Sequence, residues 1–324
     1  MPSLEFRWFR WFRWSRLTFR LTLACAAAAL AGAAAAQPAA PAKPQGLEKR
    51  VALVIGNAAY RGGQQLPNAA NDAEDLCKAL RKLAFDTLCV RDVKTRRDFK
   101  RAVQDFRARL GPGVAGLFYY AGHGIQVDGD NFLLPTEAVI DAREDVEDES
   151  LSLRYVMQTL EEAGNGFNLI ILDACRNNPF IRGFSRATQR GLAPVSDAPS
   201  GSIVLYSTAA NDVASDGGRG ERNSPFAKHL LNFIGKPGLT VETLIKRVSA
   251  AVQQETERIS RRRQVPFTYG SFIGEFCFAG CQDPEAEARA RREREDLDRR
   301  RQEIEAREAS GGRPASRANV PPSF

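Results

Sequence analysis

Short apolar runs alternate with amphipathic helical patterns along the central part of this chain. Between the runs, apolar residues recur every three or four positions, and two further helical patterns (225–233 and 241–259) come later in the chain. Buried strands joined by helices are typical of a mostly parallel sheet with helices on both faces. The sequence therefore predicts an α/β fold, with a last strand at 272–278. The five apolar runs lie at 51–55, 88–90, 114–119, 169–172 and 203–206.

The two ends of the chain differ in composition from this central region. Residues 1–20 contain five arginines, and residues 21–36 form an alanine-rich apolar stretch that ends in Ala34-Ala35-Ala36. This order is typical of a signal peptide with a small-residue cleavage site. The sequence predicts five segments: a signal peptide (1–36), a Pro/Ala linker (37–47), the folded domain (48–282), a charged helical segment (283–310) and a disordered tail (311–324).

This organisation predicts an exported protein, periplasmic or secreted. The alternative is an inner-membrane anchor formed by the same N-terminal segment, whose apolar part is shorter than the roughly 20 residues of a spanning helix. Residues 1–36 hold five Arg and one Glu, so their removal lowers the net charge from +7 to about +3. The basic composition therefore gives no support for a nucleic-acid partner.

Cysteine use also bears on the compartment. Cys25 belongs to the leader, and five of the six cysteines lie after it. An odd number leaves at least one free thiol if pairing is intramolecular. Cys77–Cys89 and Cys277–Cys281 are candidate pairs, and four ordinary buried thiols are the alternative. Cys175 is the thiol that we expect to stay free.

Two short segments carry residues that can do proton or acyl chemistry, and each follows an apolar run. His123 lies in Tyr-Tyr-Ala-Gly-His-Gly, and Cys175 lies 52 positions later in Asp-Ala-Cys-Arg-Asn-Asn. A thiol becomes an effective nucleophile beside a base, and the carboxyl ends of parallel strands meet at one edge of a sheet. The pattern predicts a cysteine peptidase. The alternative is a structural cysteine and a hydrogen-bonded core histidine.

In several motifs the sequence resembles caspase-like cysteine peptidases, above all the bacterial, paracaspase and metacaspase branches. The resemblance implies the caspase-hemoglobinase fold, with Cys175 as nucleophile and His123 as its acid/base partner. It also implies an oxyanion hole made by the backbone N–H groups of Gly124 and Cys175. The motifs that carry the resemblance are Val51-Ala52-Leu53-Val54-Ile55-Gly56-Asn57-x-x-Tyr60, Asn71-Asp72-Ala73, 119–124, 172–175 and Val213-Ala214-Ser215-Asp216-Gly217.

Charge near the nucleophile predicts the specificity. Asp173 stands two residues before Cys175, where caspases that cut after Asp carry Gln. A carboxylate there suits a guanidinium or an ammonium group. By the resemblance to paracaspases Asp72 is a second pocket acid, although its position also suits a helix N-cap. Asp216 and Asp212 are candidates for a third. We therefore expect an endopeptidase that cuts after Arg, with Lys second, through a thioester acyl-enzyme.

Other interpretations remain open at this stage. One is a caspase-fold interaction module with weak or no catalysis, and another is a caspase-like enzyme of different specificity, such as a separase-type or legumain-type enzyme. The charged segment 283–310 is a candidate contact for a partner protein. No cofactor or metal is assigned: the acidic run at 141–149 invites comparison with calcium-dependent metacaspases but lacks EF-hand spacing. Three loop arginines are candidate self-cleavage sites, with solvated side chains as the alternative: Arg182, Arg186 and Arg190.

Overall fold

A computed structural model describes residues 49–62, 64–175, 192–195, 198–209, 214–215, 217 and 220–309, without the side chains of Cys175 and Ser271. The expected leader, linker and tail lie outside the described residues, as do the three loop arginines. Asp212 and Asp216 lie outside them as well.

A mostly parallel sheet forms the centre of the described domain. Its strand order is β2-β1-β3-β6-β7-β8, and only β8 runs antiparallel to its neighbour on this path. Two short strands, β4 and β5, continue the sheet beside the distal half of β3. The strands are β1 Lys49–Gly56, β2 Asp86–Arg91, β3 Val114–Val127, β4 Asp130–Leu133, β5 Leu151–Ser152, β6 Phe167–Cys175, β7 Ser202–Tyr206 and β8 Phe267–Ser271.

Helices cover both faces of this sheet. Along each strand, successive apolar side chains alternate between two buried clusters, as Val54 and Ile55 do on β1. One face packs against α1, α5 and α6, and the other packs against α2 and α4. The expected fold class is thereby confirmed. The helices are α1 Pro67–Lys82, α2 Arg96–Arg107, α3 Asp145–Glu149, α4 Leu153–Glu162, α5 Pro225–Ile234, α6 Val241–Ser260 and α7 Pro284–Ala309.

The expected last strand at 272–278 is wrong, since β8 lies earlier and ends at Ser271. The aromatic residues after β8 are instead packing contacts at the amino-terminal end of the sheet. The rings of Phe272 and Phe276 lie 4.4 and 4.7 Å from that of Phe167, and the carbonyl of Phe276 accepts a hydrogen bond from the N–H of Val241. Aromatic residues are common in strands and in cores alike, so composition alone placed the strand wrongly.

The charged segment forms helix α7, none of whose residues is buried. Oppositely charged neighbours support the helix, as Arg291 and Glu295 do at 4.0 Å. Its two large apolar side chains, Leu297 and Ile304, are 64% and 58% exposed. Within the described ranges, no helix combines the length and apolar character needed to cross a membrane.

Both candidate cysteine pairs form disulfides. The Cys77–Cys89 bond joins α1 to the edge strand β2 across a sequence separation of 12, whereas Cys277–Cys281 spans a separation of 4. In the chain-entropy model a longer closed loop gives greater stabilisation.

We expect the double substitution Cys77→Ala/Cys89→Ala to lower the free energy of unfolding by about 3 kcal/mol. The matched control, Cys277→Ala/Cys281→Ala, closes a shorter loop and should cost about 2 kcal/mol. Urea unfolding of the three oxidised proteins measures both values. An unchanged midpoint without the Cys77–Cys89 bond would contradict the expectation.

Candidate active site

The two candidate catalytic residues lie side by side on neighbouring parallel strands. His123 on β3 is in register with Cys175, the last residue of β6. From Gly124 onward β3 pairs instead with β4, where Gly124 lies opposite Leu133. The sequence placed both residues just after their strands, but β3 and β6 extend to include them. Their backbones are therefore fixed by sheet hydrogen bonding and not carried by loops.

The imidazole of His123 has a defined tautomer. Its Nε2 lies 2.8 Å from the carbonyl oxygen of Gln64. Because a carbonyl can only accept, Nε2 carries the proton and Nδ1 holds the lone pair. His123 is 4% exposed, and within the described residues Nδ1 has no hydrogen-bond partner. Burial lowers the pKa of His123 and so favours the neutral imidazole, in which Nδ1 keeps its lone pair.

A close backbone approach explains the glycine before this histidine. A Cβ atom at Gly122 would lie 2.6 Å from the hydroxyl oxygens of both Tyr60 and Tyr120. Real Cβ atoms do not approach other atoms that closely. The Ala-Gly-His-Gly motif therefore needs glycine at this position for packing, independently of any contact with a substrate.

Two carboxylates face one small cavity beside these residues. Asp173 comes from β6 and Asp72 from α1, and the cavity wall also includes Gly122, Ser215 and Ser224. Both acids are almost fully buried, at 6% and 1% exposure. The structure thus brings together the two candidate pocket acids that the sequence singled out, about 100 residues apart in the chain.

Neutral groups satisfy these carboxylates. The hydroxyl of Ser224 donates to Oδ2 of Asp173 at 2.7 Å, and that of Tyr119 lies 3.4 Å from the same oxygen. Oδ1 of Asp72 accepts from Nδ2 of Asn223 at 3.0 Å and from the backbone N–H of Ser224 at 3.1 Å. Within the described residues, none of their hydrogen-bond partners is a cation.

The burial of these two acids raises the pKa of each. Burial, together with the nearby charge of Asp173, raises the pKa of Asp72 to about 8. Burial likewise raises the pKa of Asp173. Two acids held in this way resist a second negative charge and gain from a cation placed between them. The two acids therefore favour a cation at this cavity, which in this structure has room for no more than about one water molecule.

The structure corrects one expectation for Asp72 and adds two residues. Asp72 lies inside α1, whose N-cap is Leu66, so it is not the N-cap of that helix. The sequence does not identify Ser224 and Asn223 as partners of the two acids. Ser224 caps α5 by accepting from the N–H of Ala227, and its hydroxyl proton goes to the pocket acid. The Ser-Pro pair before an apolar run predicts the cap but not this second role.

The acidic run at 141–149 is a local structural feature. It forms α3 and the turn before it, where the carboxylate of Asp145 accepts from the backbone N–H groups of Asp141 and Ala142. Across the part of the chain that the structure describes, no three His, Cys, Asp or Glu residues are placed to hold a metal ion.

A fold of this kind, with a histidine and a cysteine paired at the carboxyl ends of central strands, defines a caspase-like peptidase domain. The family model named "Caspase domain" matches residues 49–276, well over half of the chain. The chain therefore belongs to the caspase domain family, a family of cysteine peptidases.

Similar proteins agree with this assignment. Over 127 residues the chain is 35% identical to human mucosa-associated lymphoid tissue lymphoma translocation protein 1, a paracaspase, and 34% identical to its mouse homologue. These matches cover 39% of this chain and only 15% of each relative. The expected resemblance to the paracaspase branch is confirmed.

Solved structures support the fold. Caspase-1 of Spodoptera frugiperda matches with a TM-score of 0.50 at 14% identity, covering 72% of this chain and 90% of that one. A protein from Geobacter sulfurreducens matches with a TM-score of 0.53 at 17% identity, covering 72% and 100%. At these identities the likeness concerns the fold alone.

Proposed function

We propose that the protein is a cysteine endopeptidase in which His123 and Cys175 form the catalytic dyad and which cleaves after Arg, with Lys second. The specificity rests on one observation: Asp72 and Asp173 are buried in one cavity, none of their hydrogen-bond partners among the described residues is a cation, and Asp173 lies two residues before the proposed nucleophile. The neutral imidazole with its lone pair on Nδ1 supports the dyad.

The reaction follows from these groups. The thiol of Cys175 transfers its proton to Nδ1 of His123 as the sulfur attacks the scissile carbonyl carbon. The N–H groups of Gly124 and Cys175 stabilise the resulting oxyanion. His123 then donates its proton to the departing amine, and a thioester remains. A water molecule gives a proton to His123 as it attacks the thioester carbonyl, and His123 passes that proton to the departing sulfur, which releases the acid and restores the thiol.

Charge decides which substrate side chain the two acids favour. A guanidinium can donate to two carboxylates at once, whereas an ammonium is a compact point charge. One additional charge-assisted hydrogen bond corresponds to about a tenfold preference for Arg over Lys. A substrate aspartate would bring a third acid into the cavity. Such like-charge contacts cost several kcal/mol, so cleavage after Asp should be at least about 10³-fold slower.

The test is cleavage of matched fluorogenic peptides that end in Arg, Lys or Asp, with reductant present and Cys175→Ala as control. Cleavage after Arg that disappears in the variant supports the proposal. Preferred cleavage after Asp would refute the pocket assignment while keeping the enzyme. If none of the three peptides is cleaved although the Cys175 thiol is shown to be free, the interaction module is favoured.

We expect binding of a cationic ligand to release protons at pH 7. Asp72 has a pKa of about 8 and is largely protonated at that pH, whereas an ion pair requires its carboxylate. The KM for an Arg peptide should accordingly fall as the pH rises through 8. Calorimetry with an arginine-based inhibitor in buffers of different ionisation enthalpy measures the released protons. The Asp72→Asn variant should release fewer, and equal release by the two proteins would contradict the assignment.

We also propose that the enzyme works outside the cytoplasm, in the periplasm or after secretion. Two disulfides support this location, because structural disulfides persist mainly in oxidising compartments. A fusion of residues 1–47 to a reporter that is active only after export tests the location. Reporter activity in the soluble exported fraction is expected, and activity confined to the membrane would favour the anchor.

A further inference from the structure

We propose that Tyr60 is a positioning residue that fixes His123 for catalysis. The inference rests on the proposed function, since it assigns His123 the role of catalytic base. Tyr60 belongs to the Asn57-x-x-Tyr60 motif that follows the first strand, and neither the dyad nor the acidic cavity accounts for that motif.

The need for such a residue comes from unequal strand lengths. Pairing between β1 and β3 ends where Gly56 lies opposite Ala121, with one more bond from the N–H of Asn57 to the carbonyl of Ala121. β3 continues past this point, and among the described residues β1 offers no further partner for the N–H of His123. An unsatisfied buried N–H is costly, so another acceptor is required.

The hydroxyl of Tyr60 takes the place of the missing strand. It accepts from the N–H of His123 at 2.9 Å and donates to the carbonyl of Leu134 at 3.0 Å. Leu134 in turn donates its N–H to the carbonyl of His123 at 3.1 Å. The hydroxyl of Tyr120 contacts the same two carbonyls, at 2.7 Å for His123 and 3.1 Å for Leu134. The peptide groups on both sides of His123 are thus held.

The same tyrosine also contacts the catalytic ring. Its aromatic ring lies 4.4 Å from the imidazole of His123, between centroids, at an interplanar angle of 57°. Four residues later the carbonyl of Gln64 receives Nε2–H. One loop therefore sets the backbone, the ring orientation and the tautomer of the proposed base. A displacement of about 1 Å in such a group can cost about 10²-fold in rate.

Hydrogen bonds to neighbouring segments fix the loop that carries Tyr60. Oδ1 of Asp92 accepts from the N–H groups of Ala58 and Ala59 at 2.7 and 2.8 Å. The buried side chain of Asn57 donates to the carbonyl of Leu134 and accepts from the N–H of Val93, both at 2.9 Å. These contacts hold the loop in one conformation, which is what a positioning residue needs.

Kinetics of the full chain test the proposal. Tyr60→Phe keeps the ring and removes the hydroxyl, so we expect kcat for an Arg peptide to fall about 10- to 100-fold per titrated active site, with KM within twofold. Asp92→Gly loosens the loop with Tyr60 intact, and glycine suits the φ of 51° at that position. Asp92→Gly should therefore lower kcat as well. Tyr155→Phe, which removes a hydroxyl that accepts from Gln104 on the opposite face, is the matched control and should change nothing.

A measurement independent of activity separates this inference from the proposed function. The chain has only two histidines, so the imidazole ¹⁵N signals of labelled protein can be assigned with a His229→Ala variant. In the unsubstituted protein His123 should show a protonated Nε2 and an unprotonated Nδ1, and Tyr60→Phe should average these shifts. Unchanged His123 shifts together with kcat within twofold would overturn the inference. If the unsubstituted chain cleaves no Arg peptide, the proposed function fails, and the ¹⁵N comparison still decides the role of Tyr60.

Discussion

Replacement of Cys175 by alanine should abolish cleavage of Arg peptides, with a loss of roughly 10⁴-fold or more. His123→Ala should cost a similar factor, because the thiol then loses the group that takes its proton and later supplies one to the amine. The double variant should be no worse than the poorer single variant, since the two residues act as one unit. Steady-state kinetics on the three proteins measure these losses.

The chain offers a matched control for the histidine. His229 lies on α5, and its Nε2 contacts Oε2 of Glu255 on α6 at 2.5 Å, a hydrogen-bond contact that the proposed reaction does not use. His229→Ala should leave kcat/KM for the Arg peptide within about threefold, provided the protein is folded. If His229→Ala and His123→Ala lose activity equally, or if the double variant multiplies the two losses, the dyad assignment is wrong.

The second large effect concerns the acidic cavity. Asp173→Asn should lower kcat/KM for an Arg peptide by about 10² to 10³-fold, because the guanidinium loses a buried, charge-assisted partner. The amide oxygen of asparagine can still accept from Ser224, so the hydrogen bond that joins β6 to α5 can persist. Asp72→Asn should act in the same direction. Kinetics with Arg and Lys peptides measure both losses.

Asp72→Asn should lower activity but raise stability at high pH. The pKa of Asp72 is raised in the folded protein, so the folded state binds this proton more tightly than the unfolded chain does. The stability of the unliganded protein therefore falls as the pH rises from about 4 to about 8, by up to about 1.4 kcal/mol per pH unit for one proton. Asp72→Asn removes this loss, so its Tm should exceed that of the unsubstituted protein at pH 8.

A neighbouring acid on α1 is the control for this experiment. Asp75 is more exposed than Asp72 and pairs with Arg222 at 2.7 Å, and these contacts lower the pKa of Asp75. Asp75→Asn should change kcat/KM little and should not raise the Tm at pH 8. If Asp72→Asn and Asp75→Asn behave alike in both measurements, the cavity is not a cation site.

Much of the fold could be predicted because its signals are local. Each of the five expected runs lies within an observed strand, since buried parallel strands are nearly continuous apolar segments. The ends of β3 and β6 could not be read in this way. Gly122, His123 and Gly124 are poor strand formers, and only pairing with β6 and then with β4 keeps them extended. The tertiary partner, and not the local sequence, determines where these strands end.

The candidate site shows the same division. Asp173 is identified by its position two residues before Cys175 in the sequence. Asp72 is identified only through the resemblance to paracaspases. Nothing local marks Asn223 and Ser224 as partners of those acids, because they come from a helix start about 150 residues after Asp72. Tyr60 was visible as part of a motif. Its contact with His123 depends on how far β3 extends beyond the end of β1, which a single sequence does not reveal.

Covalent labelling of the full chain with an irreversible peptidyl-Arg ketone, followed by peptide mass spectrometry, identifies the nucleophile and the specificity in one experiment. We expect one adduct, on Cys175, with slow labelling after His123→Ala and slow labelling by the matched Asp ketone. Asp173→Asn should reduce labelling by the Arg ketone far more than Asp75→Asn does. An adduct on another residue, or faster labelling by the Asp ketone, would contradict an Arg-specific cysteine peptidase built on His123 and Cys175.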